Sequence, residues 1–111
     1  MGRVDGGVAV QEDGSMTAYW ISTYNEILDP AKMAAYAEIA GPVLTEAGGT
    51  YLARDQSAHT WEDAREGRVV IIRFDSVEQA VEAHDSPAYQ AALAALDGGV
   101  RREVRIVPGV E

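Results

Sequence analysis

At 111 residues, with 47% hydrophobic side chains and no cysteine, the chain holds enough apolar material for one packed domain, and disulfides, thiolate nucleophiles and cysteine-based zinc sites are excluded. Eighteen acidic against nine basic side chains give a formal net charge of −9, which disfavours phosphate backbones and anionic lipid, so neither nucleic acid nor membrane is an expected partner. No apolar run approaches the ~20 residues of a bilayer span, and the cytoplasm is the default location.

Met1 to Ser15 is rich in glycine and polar groups and has neither helical nor strand period. It lacks a secretory apolar core, because Val8-Ala9-Val10 runs at once into Gln11-Glu12-Asp13. We read residues 1–16 as a flexible leader, 17–108 as a single domain and 109–111 as a tail. The first strand is expected over Thr17 to Asn25, dense in aromatic and β-branched residues, with Tyr19, Ile21, Thr23 and Asn25 on one face and Trp20 and Tyr24 on the other.

Asp29-Pro30 has the form of a helix start, with the aspartate as N-cap and the proline where its missing N–H costs nothing. That helix should reach about Ala47, burying Met33, Tyr36, Ala37, Ala40 and Leu44, with Pro42 kinking it or thinning one turn. Gly48-Gly49 ends it, and a second strand follows from Thr50 to Arg54 or Asp55. Gln56 to Gly67 is polar and reads as a loop, or as a short edge strand with a turn at Arg65-Glu66-Gly67. Arg68 to Phe74, centred on Val69-Val70-Ile71-Ile72, is the strongest strand signal.

Ser76 caps a further helix, with Glu78 and Gln79 close behind. It reaches His84, breaks at Asp85-Ser86-Pro87, resumes from Ala88 to Leu96 and stops at Gly98-Gly99. A last strand spans about Val100 to Val107. The order β-α-β-β-α-β is that of an α+β, ferredoxin-like fold, four antiparallel strands with the helices on one face.

Helices cover one face of such a sheet, yet both faces read apolar. Val70, Ile72 and Phe74 should face the helices, leaving Val69, Ile71 and Arg73 outside, and by simple alternation Tyr51 and Ala53 face inward while Leu52 and Arg54 face outward. A sheet apolar on both sides must be covered twice, so a homodimer with two sheets face to face is expected. Tyr19, Thr23, Asn25, Arg54 and Arg73 then form a polar cluster on an apolar wall between the sheets, suited to a small organic ligand, anionic or polar-aromatic. Trp61, in the polar loop with His59 and Glu62, would lid it.

His84 near a helix end, with Tyr89 beside it, forms a candidate acid–base pair, and Tyr19 is a further candidate proton carrier. The spacing of His59, Glu62 and His84 does not support a metal site. None of the glycine pairs has phosphate-loop or dinucleotide spacing. No metal, nucleotide or other cofactor is therefore expected.

The runs Ala18-Tyr19-Trp20-Ile21, Gly48-Gly49-Thr50-Tyr51-Leu52-Ala53-Arg54, Arg68-Val69-Val70-Ile71-Ile72-Arg73-Phe74-Asp75-Ser76 and Ser86-Pro87-Ala88-Tyr89-Gln90, with Asp29-Pro30 and Tyr36 between them, together resemble the DUF1330 family over roughly Thr17 to Pro108. The resemblance implies a ferredoxin-like protomer and a homodimeric α+β barrel. Two departures stand out, the long acidic leader and His84 where an aromatic is often found. The functional expectation is a cofactor-independent enzyme of the proton-transfer type (isomerase, cyclase or lyase). Arg54 or Arg73 would hold an anionic oxygen, while His84 with Tyr19 or Tyr89 would move protons. The alternative is a non-catalytic dimeric ligand-binding or interaction domain.

Overall fold

Strand alternation and three capped helix starts organise the chain, whose computed structural model describes residues 17–110. The expected leader at 1–16 lies outside the described residues. The elements are β1 (Ala18–Ile27), α1 (Pro30–Glu46), β2 (Thr50–Gln56), β3 (Arg68–Phe74), α2 (Val77–Asp85), α3 (Pro87–Leu96) and β4 (Val100–Pro108). The sheet order is β2-β3-β1-β4 with every pair antiparallel. This is the ferredoxin-like arrangement, with its second helix divided in two.

The caps explain the boundaries. The Asp29 side chain accepts from the backbone N–H groups of Ala31 and Lys32 at 3.0 and 3.2 Å, and Pro30 follows at the first helical position. α1 then runs unbroken through Pro42 to Glu46. Between α2 and α3, Ser86 serves both helices. Its hydroxyl donates to the carbonyl of Ala83 at 2.9 Å and accepts from the backbone N–H of Tyr89 at 3.2 Å. One serine thus ends one helix and begins the next.

The core lies between the helices and one sheet face. Trp20, Ile72, Phe74, Leu44 and Tyr89 are fully buried there, each contributing about 1.5–3 kcal/mol relative to exposure. Trp20 meets Tyr89 edge to face, with ring centroids 5.2 Å apart. On β1, Ala18, Trp20, Ser22 and Tyr24 point into this core, while Tyr19, Ile21 and Thr23 lie half-buried on the outer face.

One expectation is corrected, and one pair of alternatives is resolved in favour of the loop. The first concerns β2, where a bulge lies between Tyr51 and Ala53. Tyr51 pairs with Ile72, Ala53 with Ile71 and Arg54 with Val70, so the extra residue inverts the alternation beyond it. Arg54 therefore shares the helix-facing side with Val70, and Ala53 the outer side with Ile71, the reverse of simple alternation. The second concerns 57–67, which is a loop tied at its base by Ser57, whose N–H donates to the carbonyl of Gly67 at 2.8 Å. Its tight turn centres on Glu62, at φ 60°, with the Ala64 N–H donating to the Trp61 carbonyl, rather than on Arg65-Glu66-Gly67.

Candidate functional site

Period-two alternation in β3 puts Arg68 on the same side as Val70, Ile72 and Phe74. The same rule in β4 aligns Arg102 with Val100, Val104 and Ile106. Two arginines thus enter the layer beneath the helices, and the β2 bulge adds Arg54. These three organise the polar chemistry on that side of the sheet.

An open cavity of about 50 Å³ lies between α1 and strands β1, β2 and β3, room for about four waters or a small ligand group. Met33, Ala37, Ala40, Gly41 and Leu44 of α1 form one wall, and Trp20, Val70 and Ile72 form the floor. Its polar lining comes from Ser22, Tyr24, Tyr36, Tyr51, Arg54 and Arg68. The Nε of Arg68 is buried and meets no hydrogen-bonding partner among the described residues. The guanidinium of Arg54 lies over the Tyr51 ring, 4.4 Å from its centroid. Trp20 Nε1 donates to Ser22 Oγ at 3.0 Å, which fixes the indole in the floor.

At one end of the cavity stands a cluster drawn from four elements. Arg102 Nη1 donates to the hydroxyl oxygens of Tyr24 and Tyr36 at 3.0 and 3.2 Å, and its Nη2 donates to that of Tyr89 at 3.1 Å. The hydroxyls of Tyr36 and Tyr89 lie 2.8 Å apart. Burial pushes the Tyr36 hydroxyl far above the ordinary tyrosine range despite the nearby guanidinium, and Tyr24 moves up for the same first reason. Burial opposes the charge on Arg102, but Tyr36, Tyr89 and Tyr24 together outweigh it, so the guanidinium is held protonated even more firmly than usual. The cluster is a fixed cation surrounded by neutral phenols.

The site residues expected from sequence fall into three groups. Arg54 lines the cavity, although on the face opposite to the one expected. His84 and Tyr89 do come together, with ring centroids 5.3 Å apart. However, the Tyr89 hydroxyl is turned to Arg102 and Tyr36, and His84 Nδ1 to Asp85 Oδ1 at 2.9 Å. His84 also meets the Trp20 ring but does not line the cavity. Tyr19 and Arg73 are paired on the outer face, so the sheet stands between Arg73 and His84. Arg73 Nη1 approaches Asp75 at 3.6 Å.

Asn25 lies at the irregularity in the β1–β4 pairing and borders a broad outer depression with Thr23, His59 and Arg101. Trp61 is 73% exposed, with His59 its ring neighbour at 5.8 Å. It covers no part of the cavity beneath α1. Sequence reasoning passed over Arg68, Arg102, Tyr24 and Tyr36 as functional groups. The available signal was an arginine in phase with the apolar residues of β3 and of β4.

The fold recurs in solved structures. A protein of unknown function from Rhodopseudomonas palustris aligns with a TM-score of 0.69 at 17% identity, over 100% of this chain and 99% of that one. SnoaB, a cofactor-independent oxygenase from Streptomyces nogalater, aligns with a TM-score of 0.61 at 11% identity, over 86% of this chain and 95% of its own. A dimeric ferredoxin-like protein of unknown function from Bacteroides fragilis aligns with a TM-score of 0.55 at 11% identity, over 83% of this chain and 95% of its own. No functionally curated protein matches the sequence. Among the described residues, no helix is long and apolar enough to cross a membrane. The sequence matches the domain of unknown function DUF1330 over residues 17–110, and the chain belongs to that family.

Proposed function

We propose that the cavity beneath α1 binds a small organic anion with a largely apolar body, and that the protein works as a homodimer closed over the outer sheet face. The observation that carries the binding reading is Arg68, which lines the cavity and whose buried Nε has no hydrogen-bond partner among the described residues. A buried N–H donor left unpaired costs free energy that an acceptor in the cavity would recover, and an anionic acceptor suits a guanidinium best. Arg54 stands at the same cavity and would share that anion. The lining has the make-up of a small-molecule site, apolar walls with a few orienting polar groups.

Dimerisation is supported by the outer face, where Ile21 pairs with Ile71 and Thr23 with Val69, and Leu52 and Val107 are exposed. The dimeric description of the Bacteroides fragilis protein supports it at the level of fold.

SnoaB acts without a cofactor on this fold, which supports a second reading, turnover without metal or nucleotide. Among the described residues, the cavity lining holds neither a carboxylate nor a histidine. Its titratable groups are the phenols of Tyr24, Tyr36 and Tyr51 and the guanidinium groups of Arg54 and Arg68, and His84, Tyr89 and Tyr19 do not line it. Binding is the reading the geometry favours.

The test is calorimetric titration with benzoate and its neutral analogue benzamide. Benzoate should bind saturably and benzamide should not, and Arg68→Gln should weaken benzoate by roughly tenfold or more. Equal binding of both probes, or an unchanged Arg68→Gln, overturns the reading.

A further inference from the structure

The arginine–tyrosine cluster carries an inference about which oxygen the cavity recognises. Its protons can be counted. All three phenolic oxygens accept from Arg102, so each hydroxyl still has its own proton to place. One of those protons lies between Tyr36 and Tyr89. Two remain.

Burial decides which two. Tyr89 is 0% exposed, does not line the cavity, and among the described residues finds no acceptor for its proton other than Tyr36. If Tyr36 were the donor, the Tyr89 proton would be buried without an acceptor, at the full cost of its desolvation. Tyr89 therefore donates to Tyr36, and the surplus protons belong to Tyr36 and Tyr24. Both of these residues line the cavity. Their oxygens accept from the same Nη1 of Arg102, so they are no farther apart than two hydrogen bonds to one atom allow.

Charge reinforces the geometry. No carboxylate hydrogen-bonds to or pairs with Arg102 among the described residues, and the adjacent Glu103 is engaged by Arg105 at 3.0 Å. The cation is met only by phenols, and a hydroxyl that accepts from a cation becomes a stronger donor. Burial keeps Tyr24 and Tyr36 neutral, which suits them to donate rather than to act as bases.

We infer that Tyr24 and Tyr36, polarised by Arg102, form an oxyanion-binding pair that selects phenols and enols and holds them in their ionised form. On binding, the ligand O–H loses its proton to solvent water, and the resulting oxyanion accepts from the two tyrosine hydroxyls, as preorganised donors stabilise developing charge elsewhere. This rests on the cavity being a ligand site, but it assigns a different group of residues and a different ligand oxygen from the carboxylate contact at Arg68 and Arg54.

The experiment uses p-nitrophenol, whose absorbance reports its ionisation, with benzoate as the parallel probe on the same intact protein. At a pH below the probe's own pKa, the bound fraction should show the phenolate absorption band. Tyr24→Phe, which keeps the ring and removes the donor, should weaken p-nitrophenolate by roughly ten- to a hundredfold, and by a larger factor than it weakens benzoate. Phenol bound in its neutral form, or p-nitrophenolate affinity unchanged in Tyr24→Phe, overturns the inference even where benzoate binds. Tyr24-dependent phenolate binding without benzoate binding upholds it and removes the role given to Arg68. Binding of neither probe overturns both. The absorbance of the unsubstituted protein keeps the inference testable if the variant misfolds.

Discussion

Tyr24 and Arg102 stand directly opposite one another on β1 and β4, and the guanidinium both donates to the phenol at 3.0 Å and lies 5.4 Å from the centre of its ring. A cross-strand pair of this kind ties the sheet to the proposed site, because the same contact joins the two strands and orients a hydroxyl in the cavity. Removing the guanidinium should therefore disturb more than binding.

Arg102→Met keeps much of the aliphatic volume but deletes the donors to Tyr24, Tyr36 and Tyr89. The expected loss is about 2–4 kcal/mol, since hydrogen bonds involving a charged group are worth about 1.5–3 kcal/mol. Arg105→Met on the same strand removes only a surface pair with Glu103 and should cost under about 1 kcal/mol. Urea unfolding of the two variants side by side measures the contrast, and equal losses would show that the cluster does not stabilise the fold.

Stability should fall at alkaline pH. Burial raises the pKa of Tyr36, Tyr24 and Tyr51, so in the folded state each keeps its proton beyond the point where an unfolded tyrosine loses it. Below that point the two states are equally protonated at these sites and their contribution is complete. As pH rises past about 10, the unfolded chain binds fewer protons and stability drops. The urea midpoint should therefore hold near pH 8 and fall by about pH 11, with a shallower fall in Tyr36→Phe. A fall of the same slope in both proteins would contradict the assignment.

Ile71 faces Ile21 near the centre of the outer sheet face. If two copies close over that face, Ile71→Asp places an unpaired charge between the sheets and should dissociate them. Light scattering should then report half the mass of the parent protein. An unchanged mass would move the interface elsewhere.

Two glycines bracket what the helix layer tolerates. A Cβ at Gly49 would meet Ile72 Cγ2 at 2.8 Å and both the Leu44 carbonyl and Phe74 Cζ at 2.9 Å, so Gly49→Ala should destabilise by about 1–3 kcal/mol. A Cβ at Gly41 meets nothing within 4 Å, and Gly41 sits inside α1, so Gly41→Ala should stabilise by about 0.5–1 kcal/mol. Thermal midpoints moving in opposite directions would bear this out, and a loss in Gly41→Ala would refute it.

Much of the fold was legible locally. Asp29-Pro30 and Ser86-Pro87 are helix starts written in two residues each, and alternation in Arg68 to Phe74 assigned its faces correctly. Face assignment failed in β2 because a bulge is a property of strand pairing, and nothing in Thr50 to Gln56 taken alone marks the extra residue. The cluster was hidden for a related reason. Tyr24, Tyr36, Tyr89 and Arg102 lie on four different elements and meet only once the sheet and helices are packed. Arg68 and Arg102 were in phase with apolar neighbours, but attention went to Arg54 and Arg73 because simple alternation placed both between two sheets.

The bulge at Leu52 has a consequence for how the cavity's charge is encoded. Arg54 reaches the cavity because β2 is one residue longer than its partner across a single step of the ladder, so a positive charge at that wall depends on strand pairing as much as on residue type. Deleting Leu52 would leave Arg54 opposite Val70 and facing inward, whereas pairing the same sequence without the bulge would turn Arg54 outward and Ala53 inward. Two family members with the same arginine could therefore differ in cavity charge, and counting residues against β3 would separate them where matching residue types would not.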